Sequence, residues 1–70
     1  METRKGIIVR IVSKNDFGFI QQKDGSDIFF HAVGCVDPDF DDLREGMEVE
    51  YMAITDKATN RPRAIGVVAV

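Results

Sequence analysis

The stretch from Asn15 to Ala32, NDFGFIQQKDGSDIFFHA, decides how this chain folds. Apolar side chains alternate with other residues in 17–22 and again in 27–31, and a period of two is typical of β-strands. The Asp24-Gly25 pair between the two segments is a strong signal for a tight turn. The stretch therefore predicts a β-hairpin.

Three further segments outside the hairpin also have strand character. Residues 6–13 and 63–70 are rich in β-branched side chains, and in 47–54 one face carries Met47, Val49 and Tyr51. Residues 32–46 form a long acidic connection that has room for one helical turn, and residues 57–62 form a polar loop. Five short strands in one domain over 1–70 predict an all-β, five-stranded antiparallel barrel of the OB type, with an SH3-like barrel as the competing architecture.

Composition excludes several classes of protein. The single cysteine, Cys35, cannot form an internal disulfide or a Cys pair for a metal, which favours a reducing, cytoplasmic setting. The start, METRKG, is charged where a signal peptide is apolar, and no apolar run approaches the ~20 residues of a membrane helix. One histidine without a neighbouring nucleophile, carboxylate pair or metal cluster offers no catalytic machinery. We therefore expect a binding protein that is not an enzyme and uses no cofactor or metal.

Charge is unevenly distributed along the chain. The formal net charge is −3, which argues weakly against a nucleic-acid binder. Residues 1–23, however, carry five basic and two acidic side chains. Residues 24–50 carry one basic and nine acidic side chains, and residues 51–70 carry three basic and one acidic. Because the chain is basic at both ends and acidic in the middle, one face of the domain can carry positive charge even though the net charge of the protein is negative.

Strand alternation also divides the aromatic side chains of the hairpin between two faces. Ile20, Ile28 and Phe30 fall on the face that fills the core. The opposite face carries Phe17, Phe19, Phe29 and His31. An exposed apolar patch usually marks a binding surface, and a nucleobase stacked on an aromatic ring gains ~1–3 kcal/mol. Burial of the three phenylalanines under a terminus or in a dimer interface is the alternative.

These residues resemble the cold-shock domain family. F-G-F-I at 17–20 and I-F-F-H at 28–31 are similar to the two ribonucleoprotein motifs of that family, K-G-F-G-F-I and V-F-V-H. The likeness extends over residues 5–70, through Phe40 at a usually aromatic position, L-R-E-G at 43–46 and N-R-P-R-A-I-G-V at 60–67. It implies an OB barrel that binds single-stranded RNA or DNA, often pyrimidine-rich, and acts as an RNA chaperone or regulator of gene expression.

The chain departs from the family pattern on its binding face. Arg10 replaces a tryptophan, Ile11 a phenylalanine, Asn15-Asp16 a lysine-glycine pair, and Ala32 an aromatic residue. The candidate nucleic-acid-binding residues are Arg10, Lys14, Phe17, Phe19, Phe29, His31, Phe40, Arg61 and Arg63.

The expected partner is single-stranded RNA or DNA, bound by a monomer or weak homodimer, and no membrane is expected as a partner. The alternative is an OB-fold protein-interaction module whose nucleic-acid binding is weakened or lost.

Overall fold

The computed structural model describes residues 3–70, so Met1 and Glu2 of the charged METRKG segment lie outside the described residues. The described chain forms six strands: β1 (Arg4–Val12), β2 (Phe17–Gln21), β3 (Asp27–His31), β4 (Cys35–Asp37), β5 (Glu48–Asp56) and β6 (Arg61–Ala69). Five of them are the predicted strands: β3 has the predicted bounds, and the ends of the other four differ from the prediction by at most two residues. The sixth, β4, is a three-residue strand inside the acidic connection.

Three short 3-10 turns connect the strands, at Ser13–Asn15, Ala32–Gly34 and Phe40–Asp42. The last is the helical turn expected in the acidic connection. The Asp24-Gly25 turn is also confirmed: Gly25 has φ +90°, and its N–H donates to the Gln22 carbonyl oxygen at 2.9 Å. Within residues 3–70 no helical segment has the length and apolar character needed to cross a bilayer.

The sheet closes on itself. The strands lie in the order β3-β2-β1-β5-β6-β4, and β3 also pairs with β6, which completes the predicted five-stranded barrel. The expectation of a purely antiparallel barrel is wrong, because β3 and β4 both run parallel to β6. The physical reason is parity: five strands around a ring cannot all alternate in direction, so at least one neighbouring pair must be parallel.

The core lies inside the barrel and takes one face of each long strand. Ile20, Ile28 and Phe30 are almost completely buried, as the alternation of the hairpin predicts. The predicted inner face of 47–54 is also confirmed, since Val49 and Tyr51 are buried and Met47, just before β5, packs against the core. The full buried set is Ile8, Ile20, Ile28, Phe30, Phe40, Leu43, Val49, Tyr51, Ala64 and Val67.

Gly18 lies where β2 approaches both β1 and the core closely. A Cβ atom at this position would lie 2.5 Å from the Arg10 carbonyl oxygen and 2.8 Å from the Phe30 ring. Both distances are shorter than a nonbonded contact allows. The glycine between Phe17 and Phe19 therefore lets Phe30 pack directly beneath β2, while the two neighbouring rings point outward.

Cys35 lies at the start of β4 and is half-buried, with its Sγ 3.8 Å from the His31 carbonyl oxygen. Burial, with a smaller contribution from the Asp39 carboxylate, raises the pKa of the thiol from 9.0 to about 11. Because only the thiolate reacts with alkylating agents, we expect iodoacetamide at pH 8 to modify the folded protein about 100-fold more slowly than the urea-unfolded chain. Mass spectrometry of timed samples measures both rates, and equal rates would contradict this account of the thiol.

Candidate nucleic-acid interface

The outer face of the hairpin carries the four predicted ring side chains together. In the β2–β3 register Phe17 lies opposite His31 and Phe19 opposite Phe29, so each pair points to the same side of the sheet. All four are half-buried, in contrast to the fully buried Phe30 one residue away. We call these four residues the aromatic platform.

The three phenylalanines of the platform contact one another. The Phe17 ring centroid is 5.9 Å from that of Phe19 and 5.5 Å from that of Phe29, and the Phe19 and Phe29 centroids are 6.1 Å apart. Phe19 meets both other rings edge to face, which is a favoured geometry for aromatic pairs. The rings therefore form a continuous, preformed cluster on the outside of the barrel.

His31 completes the platform and is held by its own backbone. Its Nδ1 accepts a hydrogen bond from the Val33 N–H at 3.2 Å, at the start of the turn that follows β3. The other ring nitrogen, Nε2, has no such partner within residues 3–70, so it remains available to a ligand. Ala32, which stands where the family pattern has an aromatic residue, packs against the core.

Two arginines extend the platform across the barrel. Arg10 of β1 pairs with Phe19, Phe19 pairs with Phe29, and Phe29 pairs with Arg63 of β6. We call this line of four residues on four neighbouring strands the Arg-Phe-Phe-Arg row. Arg10 reaches the outer face because the β1–β2 register shifts between Ile8 and Arg10, and this bulge reverses the inward direction that alternation from Ile8 would give.

The other predicted cations lie around the same surface. Arg61 and Arg63 line a groove of about 870 Å³ together with Phe19, Phe29 and His31. The loop is shorter than the predicted 57–62: the turn covers 57–60, so Arg61 lies at the start of β6, and Arg63 lies on the predicted strand. Lys14 is exposed on the turn between β1 and β2.

Two carboxylates also line this groove, and the sequence reasoning did not include them. Asp56 lies 3.4 Å from Nη1 of Arg63, and each of the two side chains is 25% exposed. Asp27 lies on β3, two residues before Phe29 and therefore on the same face. Strand alternation could have identified Asp27, whereas Asp56 required knowledge of the β5–β6 register.

Phe40, predicted as a nucleic-acid-binding residue, lies in the core and apart from the aromatic platform. Its side chain is only 7% exposed, and its ring centroid lies 6.1 Å from that of the buried Phe30. Leu43 is buried in the same cluster. The Phe40–Asp42 turn therefore contributes a ring to the core.

The described part of the chain offers no assembly of metal ligands. Within residues 3–70 no three His, Cys, Asp or Glu side chains lie close enough together to hold an ion. The groups gathered on the outer face are instead rings, guanidinium donors and two carboxylates. These groups can stack on planar ligands, bind anions and form hydrogen bonds.

Comparison with known proteins gives the same assignment as the geometry. A model of the 'Cold-shock' DNA-binding domain matches residues 4–70. Cold shock-like protein CspJ of Salmonella typhi is 36% identical over 66 residues, which cover 93% of this chain and 91% of that protein. Cold shock-like protein CspC of Bacillus cereus is 38% identical over 56 residues, covering 80% and 83% of the two chains.

A solved structure of drosophila Unr CSD456 shares the fold with a TM-score of 0.80 at 23% identity, over 99% of this chain and 27% of that longer one. The family match covers both strands of the aromatic platform, the two strands that carry its flanking arginines, and the core beneath them. On this match and these relatives, the chain belongs to the cold-shock DNA-binding domain family.

Proposed function

We propose that the protein binds single-stranded RNA or DNA by stacking unpaired bases on the aromatic platform. Nucleic-acid binding is the general property of the cold-shock family to which the chain belongs. The observation that carries the proposal is the contiguous, half-buried cluster of Phe17, Phe19 and Phe29 on the outer face of the barrel. Every base has a π-face, so such a cluster binds single strands without requiring one sequence, and pyrimidine-rich segments are the expected targets.

Cations around the platform are proposed to contact the phosphates. Lys14 and Arg61 are exposed on either side of it, and neither forms an ion pair within residues 3–70. Arg63 is partly neutralised by Asp56, but its buried Nε has no hydrogen-bond partner in the described chain. A phosphate could therefore contact only the quarter of the Arg63 side chain that remains exposed.

The proposed cellular role is that of an RNA chaperone or regulator of gene expression in the cytoplasm. A protein that binds only the unpaired form of an RNA shifts the equilibrium of a weak hairpin towards the open form by mass action. The role needs no enzymatic step and no cofactor, and a monomer or weak homodimer is sufficient for it.

Titration of a fluorescently labelled heptathymidine tests the proposal. We expect binding that weakens as salt rises, with a slope of log affinity on log salt of about −2 for three phosphate contacts. NMR ring signals of Phe17, Phe19, Phe29 and His31 should shift while those of Phe40 stay in place. If high micromolar concentrations at low salt give no binding, the proposal is wrong. A concentration-dependent sedimentation coefficient in that case would favour the protein-interaction module.

Asp16 places a negative charge beside the platform, and its removal should strengthen binding. The residue is exposed in the left-handed region, with φ 59°, immediately before Phe17. Asparagine tolerates the same backbone conformation, so Asp16→Asn removes the charge and preserves the turn. For a phosphate about 7 Å away, we expect a two- to fourfold rise in affinity for heptathymidine at low salt.

The salt dependence of the Asp16→Asn effect supplies its control. Screening at 0.5 M salt should remove most of the difference between the variant and the wild-type protein, because both the carboxylate and the phosphate are exposed to solvent. Fluorescence anisotropy at several salt concentrations measures the difference in affinity between the variant and the wild-type protein. A gain that persists at high salt would show that the charge is not its cause.

A further inference from the structure

The two arginines of the Arg-Phe-Phe-Arg row have different surroundings. Arg63 is paired with Asp56 at 3.4 Å. Arg10 is exposed, and within residues 3–70 its guanidinium forms neither an ion pair nor a side-chain hydrogen bond. All of its N–H donors are therefore available beside Phe19, in a planar fork that fits two adjacent acceptors.

Asp27 is the unpaired acid of the same surface. It lies on the outer face of β3, lines the groove with Phe19 and Phe29, and forms no ion pair within the described residues. A carboxylate here repels phosphates, so it suits the phosphate path poorly. It suits instead a ligand that offers two adjacent N–H donors.

Arg10 and Asp27 lie on opposite sides of Phe19. Strands β1 and β3 lie on either side of β2, so the axes of β1 and β3 are two strand spacings, about 10 Å, apart. Phe19 sits opposite Arg10 in one register and opposite Phe29 in the other, and Asp27 is two residues along β3 from Phe29. A base stacked over Phe19 would therefore have a two-donor group at one edge and a two-acceptor group at another.

Guanine is the base that matches both groups. Its O6 and N7 are adjacent acceptors and pair with arginine in a bidentate manner. Its N1–H and N2 amino group are adjacent donors, which a carboxylate accepts. Thymine and uracil present no pair of adjacent acceptors or donors, adenine alternates a donor and an acceptor on each edge, and cytosine offers two acceptors but only one donor group.

We propose that Arg10 and Asp27 form a subsite over Phe19 that selects one guanine within the bound single strand. This inference rests on the proposed single-strand binding and adds a base preference that a purely stacking surface lacks. Pyrimidines occupy the remainder of the platform, so the preferred ligand is a pyrimidine-rich segment with a single guanine.

Fluorescence anisotropy with four labelled heptamers tests the inference. The probes are heptathymidine and the same strand with a central guanine, adenine or cytosine. We expect the guanine strand to bind about tenfold more tightly than heptathymidine, in the range of one bidentate base contact. Adenine and cytosine should bind within about threefold of thymine. Equal affinity for guanine and adenine would overturn the subsite, because stacking area would then explain any gain.

Two modified bases separate the two contacts. The 7-deazaguanine strand lacks the N7 acceptor and should lose most of the preference in the wild-type protein. In Arg10→Met, which has no donor for N7, it should bind no more weakly than guanine. The inosine strand lacks the N2 amino group and should lose part of the preference in the wild-type protein. In Asp27→Asn, the inosine and guanine strands should bind equally well. In each variant the measured quantity is the ratio of guanine to thymine affinity, with the fold checked by circular dichroism.

Lys14→Gln is the matched control, because it removes a cation that we assign to phosphate contact. It should weaken both the guanine and the thymine strands by the same factor and leave their ratio unchanged. If heptathymidine binds but the guanine ratio is near one, the subsite is refuted and the proposed single-strand binding stands. If no strand binds the wild-type protein, the proposed function itself is refuted.

Discussion

Gly18→Ala should destabilise the protein by about 3 kcal/mol or more. The added methyl group would meet the Arg10 carbonyl oxygen at 2.5 Å and two Phe30 ring carbons at 2.8 and 2.9 Å. Neither obstacle can move easily, because the carbonyl belongs to the β1 backbone and Phe30 is fully buried. Insertion of one methyl group into a tightly packed core typically costs 1–3 kcal/mol, and occasionally more. Urea unfolding followed by far-UV circular dichroism measures the loss.

Gly25→Ala provides the control for this substitution. Gly25 has φ +90° and no atom within 4 Å of an added Cβ, so alanine there costs backbone strain without any collision. That strain is on the order of 1 kcal/mol. A loss at Gly18 no larger than the loss at Gly25 would show that the close approach of Phe30 to β2 does not exist. Because small domains have modest total stability, unfolding of the Gly18 variant at 25 °C is the extreme form of the expected result.

The double variant Phe19→Ala/Phe29→Ala should lose at least about 30-fold in affinity for heptathymidine. The two rings lie opposite each other, with centroids 6.1 Å apart, in the centre of the proposed binding surface. Each stacked base is worth ~1–3 kcal/mol, so the loss of two stacking partners removes ~2 kcal/mol or more, which corresponds to this factor. Anisotropy titration at low salt measures the change.

Replacement of the same two residues by tyrosine is the matched control. Phe19→Tyr/Phe29→Tyr keeps both rings, so it should retain affinity within a few-fold of wild type. Because both phenylalanines are half-buried, the unfolding midpoint of each variant must be compared with the binding temperature. Wild-type affinity in a folded alanine variant would show that bases do not stack on these rings.

Local patterns in the sequence were sufficient for most of the fold. The period of two located five strands, the Asp-Gly pair located the hairpin turn, and alternation placed Phe30 inside and Phe29 outside. These features depend on near neighbours in the chain, where strand geometry alone fixes the direction of each side chain. The aromatic platform was predictable for this reason.

The features that sequence could not show depend on distant contacts. The bulge before Arg10 departs from simple alternation: the family resemblance placed this residue on the binding face, and the register with β2 shows why its side chain points outward. The position of Phe40 in the core reflects the path of the long connection across the barrel end, which no periodicity describes. The pairing of Arg63 with Asp56 likewise follows from the β5–β6 register.

The Arg-Phe-Phe-Arg row joins residues from four strands, and its fourth member is 53 positions along the chain from its first, Arg10 to Arg63. No segment of the unfolded chain contains it, and β6 joins it only through the parallel pairing that closes the barrel. A ligand that spans the row therefore binds the closed barrel alone, and it stabilises the native state by RT ln(1 + [L]/Kd). A single-stranded nucleic acid bound along the row would therefore raise the free energy of unfolding of the barrel, while the barrel keeps that nucleic acid unpaired.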